Sequence, residues 1–376
     1  MQLIRRIAQL FLLAPTAVAG VLPDDRADLM YHYYDGGGIT IDGPSLLVRK
    51  KFAEKYAVNA SYYVDMVSSA SIDVVTTASP YKEERTQYGV GFEYLRGKVT
   101  YAASFSNSSE NDYNADTASL SISQDMFGDL TTVSLSFTRG WDDVTRTGDV
   151  AFADTVDRRI YGVNVSQVAT KNLILGLSFD TITEEGFLNN PYRQVRFVDP
   201  DAALGYSYEA ERYPRTRTGN ALALRGRWYL PYRAAMQADY RFYTDTWDIR
   251  GHTAEVSYTH PLDEEWTFDV HYRFYTQNAA EFYSDLFPRE DFQNFLARDK
   301  ELASMQSHTL GFGVAYEFKP AWAAFLGKAT LNLRYDRIRF DYDDFSDLST
   351  TGFAPGAEPL YKFDADVIRF FFSGWF

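Results

Sequence analysis

The sequence predicts an all-β fold: a transmembrane, antiparallel, up-and-down β-barrel of about 16 strands, with long outer loops and short periplasmic turns. Three observations support this prediction: an apolar strand that closes the chain, apolar residues at every second position along most of its length, and short turns that alternate with long polar segments. An even number of strands lets such a barrel close without an unpaired edge.

The first 19 residues are typical of a cleaved signal peptide. Arg5 and Arg6 form a positive start, residues 7–13 a short apolar core, and residues 17–19 a small-residue cleavage site. An apolar run of about ten residues is too short for a spanning helix, which needs roughly twenty. The paired arginines also resemble a twin-arginine signal, but the residues around them lack the rest of that pattern. We therefore expect one outer-membrane barrel domain over residues 20–376.

Composition narrows the classes of partner and site. The formal charge of −14 becomes −16 once Arg5 and Arg6 leave with the signal peptide, which argues against a nucleic-acid partner. The sequence has no cysteine, so it can form neither a disulfide nor a thiolate metal site. Aromatic residues make up 16% of the chain, including 28 Tyr and 28 Phe, as expected where tyrosines girdle both interfaces of a membrane barrel.

From the N-terminus onward, the clearest predicted strands alternate apolar and polar residues over about nine to eleven positions, enough to cross the hydrocarbon at a tilt. They lie at 58–66, 88–94, 99–105, 173–179, 236–242, 266–274 and 310–318. The alternation changes parity at 335–338 and again between Asp366 and Ile368. We interpret each change either as a β-bulge or as a strand end that leaves the membrane.

The connections between strands give an independent signal. Short turns at 53–55, 96–98, 125–129, 169–172, 231–232 and 263–265 alternate with longer polar segments. Counted from a first strand near 28–34, every short turn follows an even-numbered strand, which places both termini in the periplasm. The longest interruptions, 184–218, 278–305 and 346–359, are then outer loops, and one of them could fold into the lumen.

The segment 282–302 of the second long loop is open to two interpretations. Phe292, Phe295 and Leu296 have helical spacing, which predicts a short amphipathic helix at the mouth of the barrel. The many charged residues of the segment favour a solvated surface loop instead.

The C-terminus is the most specific feature of the chain. Ile368, Phe370, Phe372, Gly374 and Phe376 occupy one face of a strand, and so apolar a face meets either lipid or the core of a soluble sandwich. A sandwich of this size needs one core for all its strands, whereas soluble domains usually divide sooner. We therefore predict a closing strand, presented to the barrel-assembly machinery through Phe370, Phe372, Gly374 and Phe376, in the outer membrane of a Gram-negative bacterium.

Charged residues opposite the apolar face should line the lumen, because a charge on the lipid face costs roughly 2–4 kcal/mol at the midplane. On consecutive predicted strands they form a charge ladder: Arg225, Arg227, Asp239, Arg241, Glu255, Asp269, His271, Arg273, Glu317, Arg334 and Asp336. The ladder either stabilises the wall by pairing opposite charges or forms a polarised constriction that orients solutes.

A second stretch of lumenal wall, the hydroxyl wall, carries small side chains. It consists of Ser104, Ser106, Ser119, Ser121, Ser123, Ser134, Ser136 and Thr138. Small side chains leave room, and a barrel of about 16 strands encloses a lumen that holds water, a folded loop or a partner. We therefore expect passage through the lumen or occupation of it, rather than anchoring alone.

Motifs in the first third of the chain resemble a known family. They lie at 35–38 (DGGG), 42–45 (DGPS), 62–65 (YYVD), 69–76 (SASIDVVT) and 78–85 (ASPYKEER). Together they resemble the family called domain of unknown function 3570, and the resemblance covers essentially the whole mature chain. The motif residues that it singles out are Asp65, Ser71, Asp73, Ser79, Pro80, Tyr81 and Arg85.

The resemblance implies a cellular context. Members of that family are Gram-negative outer-membrane proteins without an assigned activity, often encoded beside a small lipoprotein, a thioredoxin-like protein and a flavin transferase. It therefore implies an envelope redox setting, with a small lipoprotein and thioredoxin-like or flavinylated envelope proteins as partners.

The residues of the motif region also indicate their own chemistry. The glycines after Asp35 permit a tight outer turn, and alternation points Asp65 into the lumen. Oxygen-bearing side chains follow on the next outer loop, at Ser71, Asp73, Thr76, Ser79, Glu83 and Glu84. They could hold Ca²⁺ or a polar ligand, although their spacing matches no known metal loop, and hydrogen bonding within the loop is the alternative.

These features favour a channel or pore for small polar solutes or ions, with no metal and no organic cofactor of its own. The alternative is a membrane-spanning shell or scaffold for an envelope redox complex with lipoprotein partners. A barrel hydrolase is the remote alternative, because it needs a nucleophile near a histidine, and the only candidates for such an arrangement are His271 and the Ser307-His308 pair. We do not expect an enzyme.

Overall fold

Sixteen strands pair with their sequence neighbours, apart from one inserted hairpin, and close into an antiparallel barrel in the computed structural model, which describes residues 21–68, 82–323 and 325–376. The first strand pairs with the last, so the sheet has no free edge. The predicted fold class is confirmed. The predicted signal peptide at 1–19 lies outside the described residues, as do Ser71, Asp73, Ser79, Pro80 and Tyr81 of the motif loop.

The barrel strands span most of the described chain. They are β1 (Arg26–Gly36), β2 (Ile39–Phe52), β3 (Tyr56–Ser68), β4 (Lys82–Arg96), β5 (Val99–Ser109), β6 (Tyr113–Met126), β7 (Thr131–Thr145), β8 (Ala153–Thr170), β9 (Leu173–Gly186), β12 (Thr216–Tyr229), β13 (Ala235–Asp245), β14 (Arg250–Pro261), β15 (Trp266–Gln277), β16 (Met305–Phe318), β17 (Lys328–Ser346) and β18 (Leu360–Trp375). A separate two-stranded sheet, β10 (Gln194–Val198) with β11 (Tyr206–Ala210), lies in the segment between β9 and β12.

Helical structure is confined to one 3₁₀ turn, Lys300–Leu302, within the described residues. None of the helical structure in this part of the chain is long and apolar enough to cross a membrane.

The short turns predicted from the sequence join consecutive strands at one end of the barrel. The start of β1 and the end of β18 lie at the same end. We call this the periplasmic end. The opposite, outer end carries the three long segments, at 187–215, 278–304 and 347–359. It also carries the predicted tight turn at Gly37 and Gly38, both with positive φ, which explains why glycine is needed there.

Outward positions around the middle of the barrel carry large apolar side chains that are exposed, among them Leu224 on β12, Phe268 on β15, Phe312 on β16 and Phe370 on β18. Apolar surface of this extent is unfavourable in water and favourable in lipid. The belt therefore has the character of a membrane-facing surface.

The parity change in β17 marks the upper edge of this belt. The pairing of β16 with β17 runs without a break through 335–338, so no bulge lies there. Tyr335 faces outward, and two residues further the outward side chain is Arg337, which forms ion pairs with Asp364 at 2.8 Å and Asp366 at 2.5 Å. The next residue, Ile338, packs inward against a buried core. Of the two interpretations, the bulge is excluded at 335–338, and the exit of the strand from the membrane there stays a prediction.

The closing strand lies where the C-terminal pattern predicted. Phe370 and Phe372 on β18 face outward opposite Tyr31 and Leu29 on β1. The ring of Phe376 lies 5.0 Å from the ammonium group of Lys50. Because the last strand completes the pairing of the first, the sheet cannot close without it. The role of these aromatic residues as an assembly signal stays a prediction.

The absence of native cysteine allows a direct test of orientation. A cysteine at the fully exposed Val150, between β7 and β8, should react with a membrane-impermeant maleimide in intact cells, whereas one at the exposed Glu264, between β14 and β15, should react only after the outer membrane is permeabilised. The unsubstituted chain is the blank. Labelling of the Glu264→Cys variant alone in intact cells would invert the orientation.

Candidate functional site

The charge ladder lies on the lumenal face of β12 to β17, where the strand register places its members side by side. Arg225 Nε donates to Asp239 Oδ1 at 2.5 Å. Arg227 donates from Nε and Nη2 to Gln237 Oε1 at 3.0 and 2.8 Å, and Gln237 Nε2 donates to Asp239 Oδ2 at 2.7 Å. Gln237, which the charge pattern could not single out, thus joins two arginines through one carboxylate.

A second group of pairs follows on β15 to β18. Arg334 lies 3.4 Å from Asp269, and His271 Nε2 lies 3.3 Å from Asp336 Oδ1. The other oxygen of Asp336 binds Arg369 of β18. Arg369 was not predicted as a member of the ladder, because the parity change beside it obscured which way its side chain points.

The remaining ladder members behave differently from one another. Glu317 pairs with Lys328 at 3.1 Å near the periplasmic end, so it does not belong to the contiguous ladder. The guanidinium group of Arg241 lies 5.6 Å from the ring centroid of Tyr243. Glu255 and Arg273 face each other in register, and neither has a hydrogen bond or ion pair to any described residue.

Water has access to this wall. The side chain of Arg225 is 41% exposed and that of Arg334 is 45% exposed, although both point into the barrel. The space that exposes them is the lumen, so ions and polar solutes inside the lumen would meet charged groups.

The hydroxyl wall lies across the lumen from the charge ladder, since β6 and β16 are half the ring apart. Ser119 and Thr138 are hydrogen-bonded at 2.8 Å, as are Ser123 and Ser134. The wall is closely packed against β8: a Cβ atom on Gly162 would come within 2.4 Å of Ser136 Oγ. The lumen is therefore lined by long charged side chains on one side and short hydroxyl groups on the other.

Two of the family-motif residues meet on the lumenal side of β3 and β4. Asp65 is buried, and its carboxylate lies 2.8 Å from His32 Nε2 and 3.8 Å from Arg85 Nη1. Arg85 also donates from Nε to Ser108 Oγ at 2.8 Å. His32 was not singled out from the sequence; it lies opposite Arg369 in the β1–β18 pairing, so this cluster continues the charged wall.

Three carboxylates gather above this cluster, at the outer ends of β4 and β5. Oxygen atoms of Glu83, Glu110 and Asp112 all lie within 4.8 Å of one another. Burial, together with the neighbouring Glu110 and Asp112, raises the pKa of Glu83 to about 7. Carboxylate oxygens are the ligands that hard cations such as Ca²⁺ prefer, so these three residues are the group in the described chain that could hold one. Partial protonation of Glu83 is the other way to relieve their repulsion.

The long outer segments at 187–215, 278–304 and 347–359, which we call the cap, cross the mouth of the barrel. Two buried cores connect them to opposite walls. One contains residues of β1–β3 and β16–β18 together with Ala303 of the cap. The other contains Val144 and Val156 of β7 and β8 together with Phe282 and Leu302 of the cap. The segment 278–304 therefore reaches from one side of the mouth to the other.

Neither interpretation of 282–302 holds along the whole segment. Phe292 and Phe295 are not in a helix; the chain there is irregular, with isolated bridges from Leu296 to Arg212 and from Ala297 to Tyr283. The segment is a solvated loop only in part: residues 288–292 are exposed, whereas Leu296 and Ala297 are fully buried. Pairing and burial against neighbouring segments override the local helical spacing.

A buried ion-pair network joins the three segments of the cap. Arg196 of β10 is fully buried and donates to the Glu358 carboxylate at 2.5 and 3.1 Å and to the backbone oxygen of Asp285 at 2.9 Å. Arg298 donates to the Asp285 carboxylate and lies over the ring of Phe345. Although burial works the other way, Arg298 and Arg196 hold the pKa of Asp285 below its ordinary value. Two arginines and two carboxylates thus remain charged and matched.

A second buried ion-pair network has more carboxylates than guanidinium groups. Glu211 accepts hydrogen bonds from Tyr213 at 2.8 Å and from the backbone N–H of Arg298 at 2.7 Å. Arg193 pairs with Asp299, whose carboxylate lies 3.5 Å from Tyr213 Oη. Burial raises the pKa of Glu211 to about 7; Asp299 adds to this rise and Arg193 opposes it. One guanidinium group compensates two buried carboxylates, so this network favours an extra proton.

Comparison with known families identifies the chain's relatives. The model of a family described as a protein of unknown function, DUF3570, matches residues 71–336. The chain belongs to this family. No curated protein matches the sequence.

The solved structures similar to this DUF3570 chain are outer-membrane barrels. A bacterial polysaccharide outer membrane secretin has a TM-score of 0.52 at 10% identity, over 94% of this chain and 100% of the other. A FadL homologue from Pseudomonas aeruginosa has a TM-score of 0.45 at 10% identity, over 94% and 91%. Outer-membrane-expressed OmpT of Vibrio cholerae has a TM-score of 0.45 at 10% identity, over 94% and 99%. At these identities, the secretin supports the fold alone.

The residues considered for a hydrolase in this family member do not come together. Ser307 points into the barrel and is buried, whereas its neighbour His308 points outward and bonds the hydroxyl of Tyr272 at 2.7 Å. Alternation along β16 forces adjacent residues onto opposite faces, so this pair cannot form a catalytic dyad. His271 is engaged by Asp336. The expectation that the protein is not an enzyme stays a prediction.

The second ion-pair network predicts that the stability of the cap depends on pH. Because the folded-state pKa of Glu211 lies above its ordinary value of 4.5, its contribution to stability is complete below about pH 4.5 and is lost as the pH rises through about 7. Raising the pH from 5 to 8 should therefore destabilise the cap by roughly 1–3 kcal/mol. The variant Glu211→Gln, which cannot ionise, should lose most of this pH dependence.

Hydrogen exchange of peptides from 278–304, corrected for the intrinsic effect of pH on exchange, measures this stability. Glu290→Gln removes an exposed carboxylate from the same segment and is the matched control. An equal pH dependence in the wild type and in Glu211→Gln would contradict the assignment.

Proposed function

We propose that the protein is an outer-membrane channel for small polar solutes or ions. The observation that carries this proposal is the asymmetric lumen: half-exposed charged side chains such as Arg225 and Arg334 face a wall of short hydroxyl groups. The short side chains supply space, and the charged ones supply a field across it. Barrels of about 16 strands are wide enough to leave an aqueous path.

The ladder gives this channel a structural part and a selective part. Matched pairs, such as Arg225 with Asp239, hold the wall and contribute little net charge to the path. Arg273 and Glu255 have no partner among the described residues, so their fields extend into the lumen. Selectivity should therefore depend on the unmatched charges more than on the matched ones.

The cap supports a second candidate function, a membrane-spanning shell for an envelope redox complex. A segment that crosses the mouth and is held by two buried cores would restrict free diffusion through the outer end. On this proposal the barrel would be the scaffold that a small lipoprotein and thioredoxin-like or flavinylated proteins bind on its periplasmic side. Purified protein in a planar bilayer separates the two candidates, since a channel conducts alone and a shell does not.

Two single arginine variants test the division of the ladder. Arg273→Gln should shift the reversal potential toward cation selectivity and leave thermal unfolding almost unchanged, because no described group loses a partner. Arg225→Gln should change selectivity less but lower stability by about 1 kcal/mol, because Asp239 loses its charged partner in a partly exposed site.

Both quantities are to be measured on both variants. If Arg273→Gln leaves the reversal potential unchanged while Arg225→Gln unfolds more readily, the ladder is structural and the shell becomes the better account.

A further inference from the structure

Two charged side chains on the lumenal wall face each other without pairing. Glu255 on β14 lies directly opposite Arg273 on β15, and both point into the barrel. Residues opposite one another in this way have Cβ atoms only about 4.5–5.5 Å apart, and opposite charges there usually attract. Neither side chain nevertheless makes a hydrogen bond or ion pair with any described residue.

The neighbouring charges make this exceptional. On one side, Arg225 is paired with Asp239, which lies opposite Glu255 in the register. On the other side, Arg273 lies opposite the uncharged Thr309 of β16, and along its own strand His271 is paired with Asp336 and Asp269 with Arg334. The wall therefore satisfies its charges in pairs around this position and leaves one carboxylate and one guanidinium group available, next to each other and accessible from the lumen.

We infer that Glu255 and Arg273 form a binding site for small amphoteric solutes, molecules that carry an ammonium group and a carboxylate, such as free amino acids. The guanidinium group of Arg273 is suited to bind a carboxylate through two parallel hydrogen bonds. The carboxylate of Glu255 accepts hydrogen bonds from an ammonium group. A solute that brings both charges satisfies both side chains at once, and no existing pair has to break.

The position along the lumen suits such a site. Tyr275 and Gln277 follow Arg273 on the same face of β15; Tyr275 packs against a core of the cap, and Gln277 donates to the backbone oxygens of Glu301 and Ala303. The site therefore lies just beneath the cap. A solute held there faces the open space in front of the hydroxyl wall, which leaves room for its side chain.

This inference rests on the proposed function, in that solutes must reach the lumen. It is tested by binding rather than by conduction, with the full chain purified in detergent. Saturation-transfer NMR titrations compare L-alanine with propionate, which has only the carboxylate, and with ethylamine, which has only the ammonium group. L-alanine should bind about tenfold more tightly than either analogue.

Variants assign the two contacts. In Glu255→Gln, L-alanine should bind no better than propionate, and in Arg273→Gln no better than ethylamine. The exchanged double variant, Glu255→Arg with Arg273→Glu, keeps both charges and should recover the preference for L-alanine. Glu264→Gln and Arg96→Gln, which remove one exposed charge each at the periplasmic turns, should leave the preference unchanged.

Equal binding of the three probes by the wild type, or a preference that survives both single variants, would overturn the site. Because binding is measured without a membrane, a protein that binds L-alanine but does not conduct would refute the channel and keep the site. A protein that conducts without this preference would do the reverse.

Discussion

The whole structure depends on one constraint: inside a membrane, every backbone N–H and C=O group must be hydrogen-bonded within the protein. Strands meet it only by closing into a ring, which the pairing of β1 with β18 completes. Closure requires every strand to alternate its side chains with a period of two, because each residue must then face either lipid or lumen. The lipid belt, the charge ladder and the hydroxyl wall are three consequences of that single alternation.

Above the membrane, the polarity of the two strand faces is reversed, and this reversal provides the surface on which the cap packs. Past Tyr335, the outward side chains of β17 become charged, while Ile338, Phe340 and Tyr342 turn apolar side chains inward. These inward residues give the outer segments a core to pack on, although the lumen below is polar. Buried arginines such as Arg196 then fix the segments to one another through matched charges. The barrel thus carries a soluble-type core on top of a membrane-type wall.

Alternation made much of this predictable from sequence, since it reveals which face a residue occupies as soon as its strand is recognised. It does not reveal which residues on different strands become neighbours. Asp65 was expected in the lumen, but its contact with His32 depends on the register of β1 with β2 and of β2 with β3. The helical spacing of Phe292 and Leu296 misled for a related reason, because Leu296 is buried in the cap and bridges to Arg212, while Phe292 stays exposed.

Conduction through the lumen is the central claim, and a cysteine placed in the hydroxyl wall tests it most directly. Ser121 points into the barrel and is exposed there, whereas its neighbour Leu120 points outward into the lipid belt. In single-channel recordings from a planar bilayer, a charged thiosulfonate reagent should reduce the conductance of Ser121→Cys in discrete steps and leave Leu120→Cys and the cysteine-free wild type unchanged. Absence of channels in the wild type, or a conductance that modification of Ser121→Cys does not alter, would contradict the account.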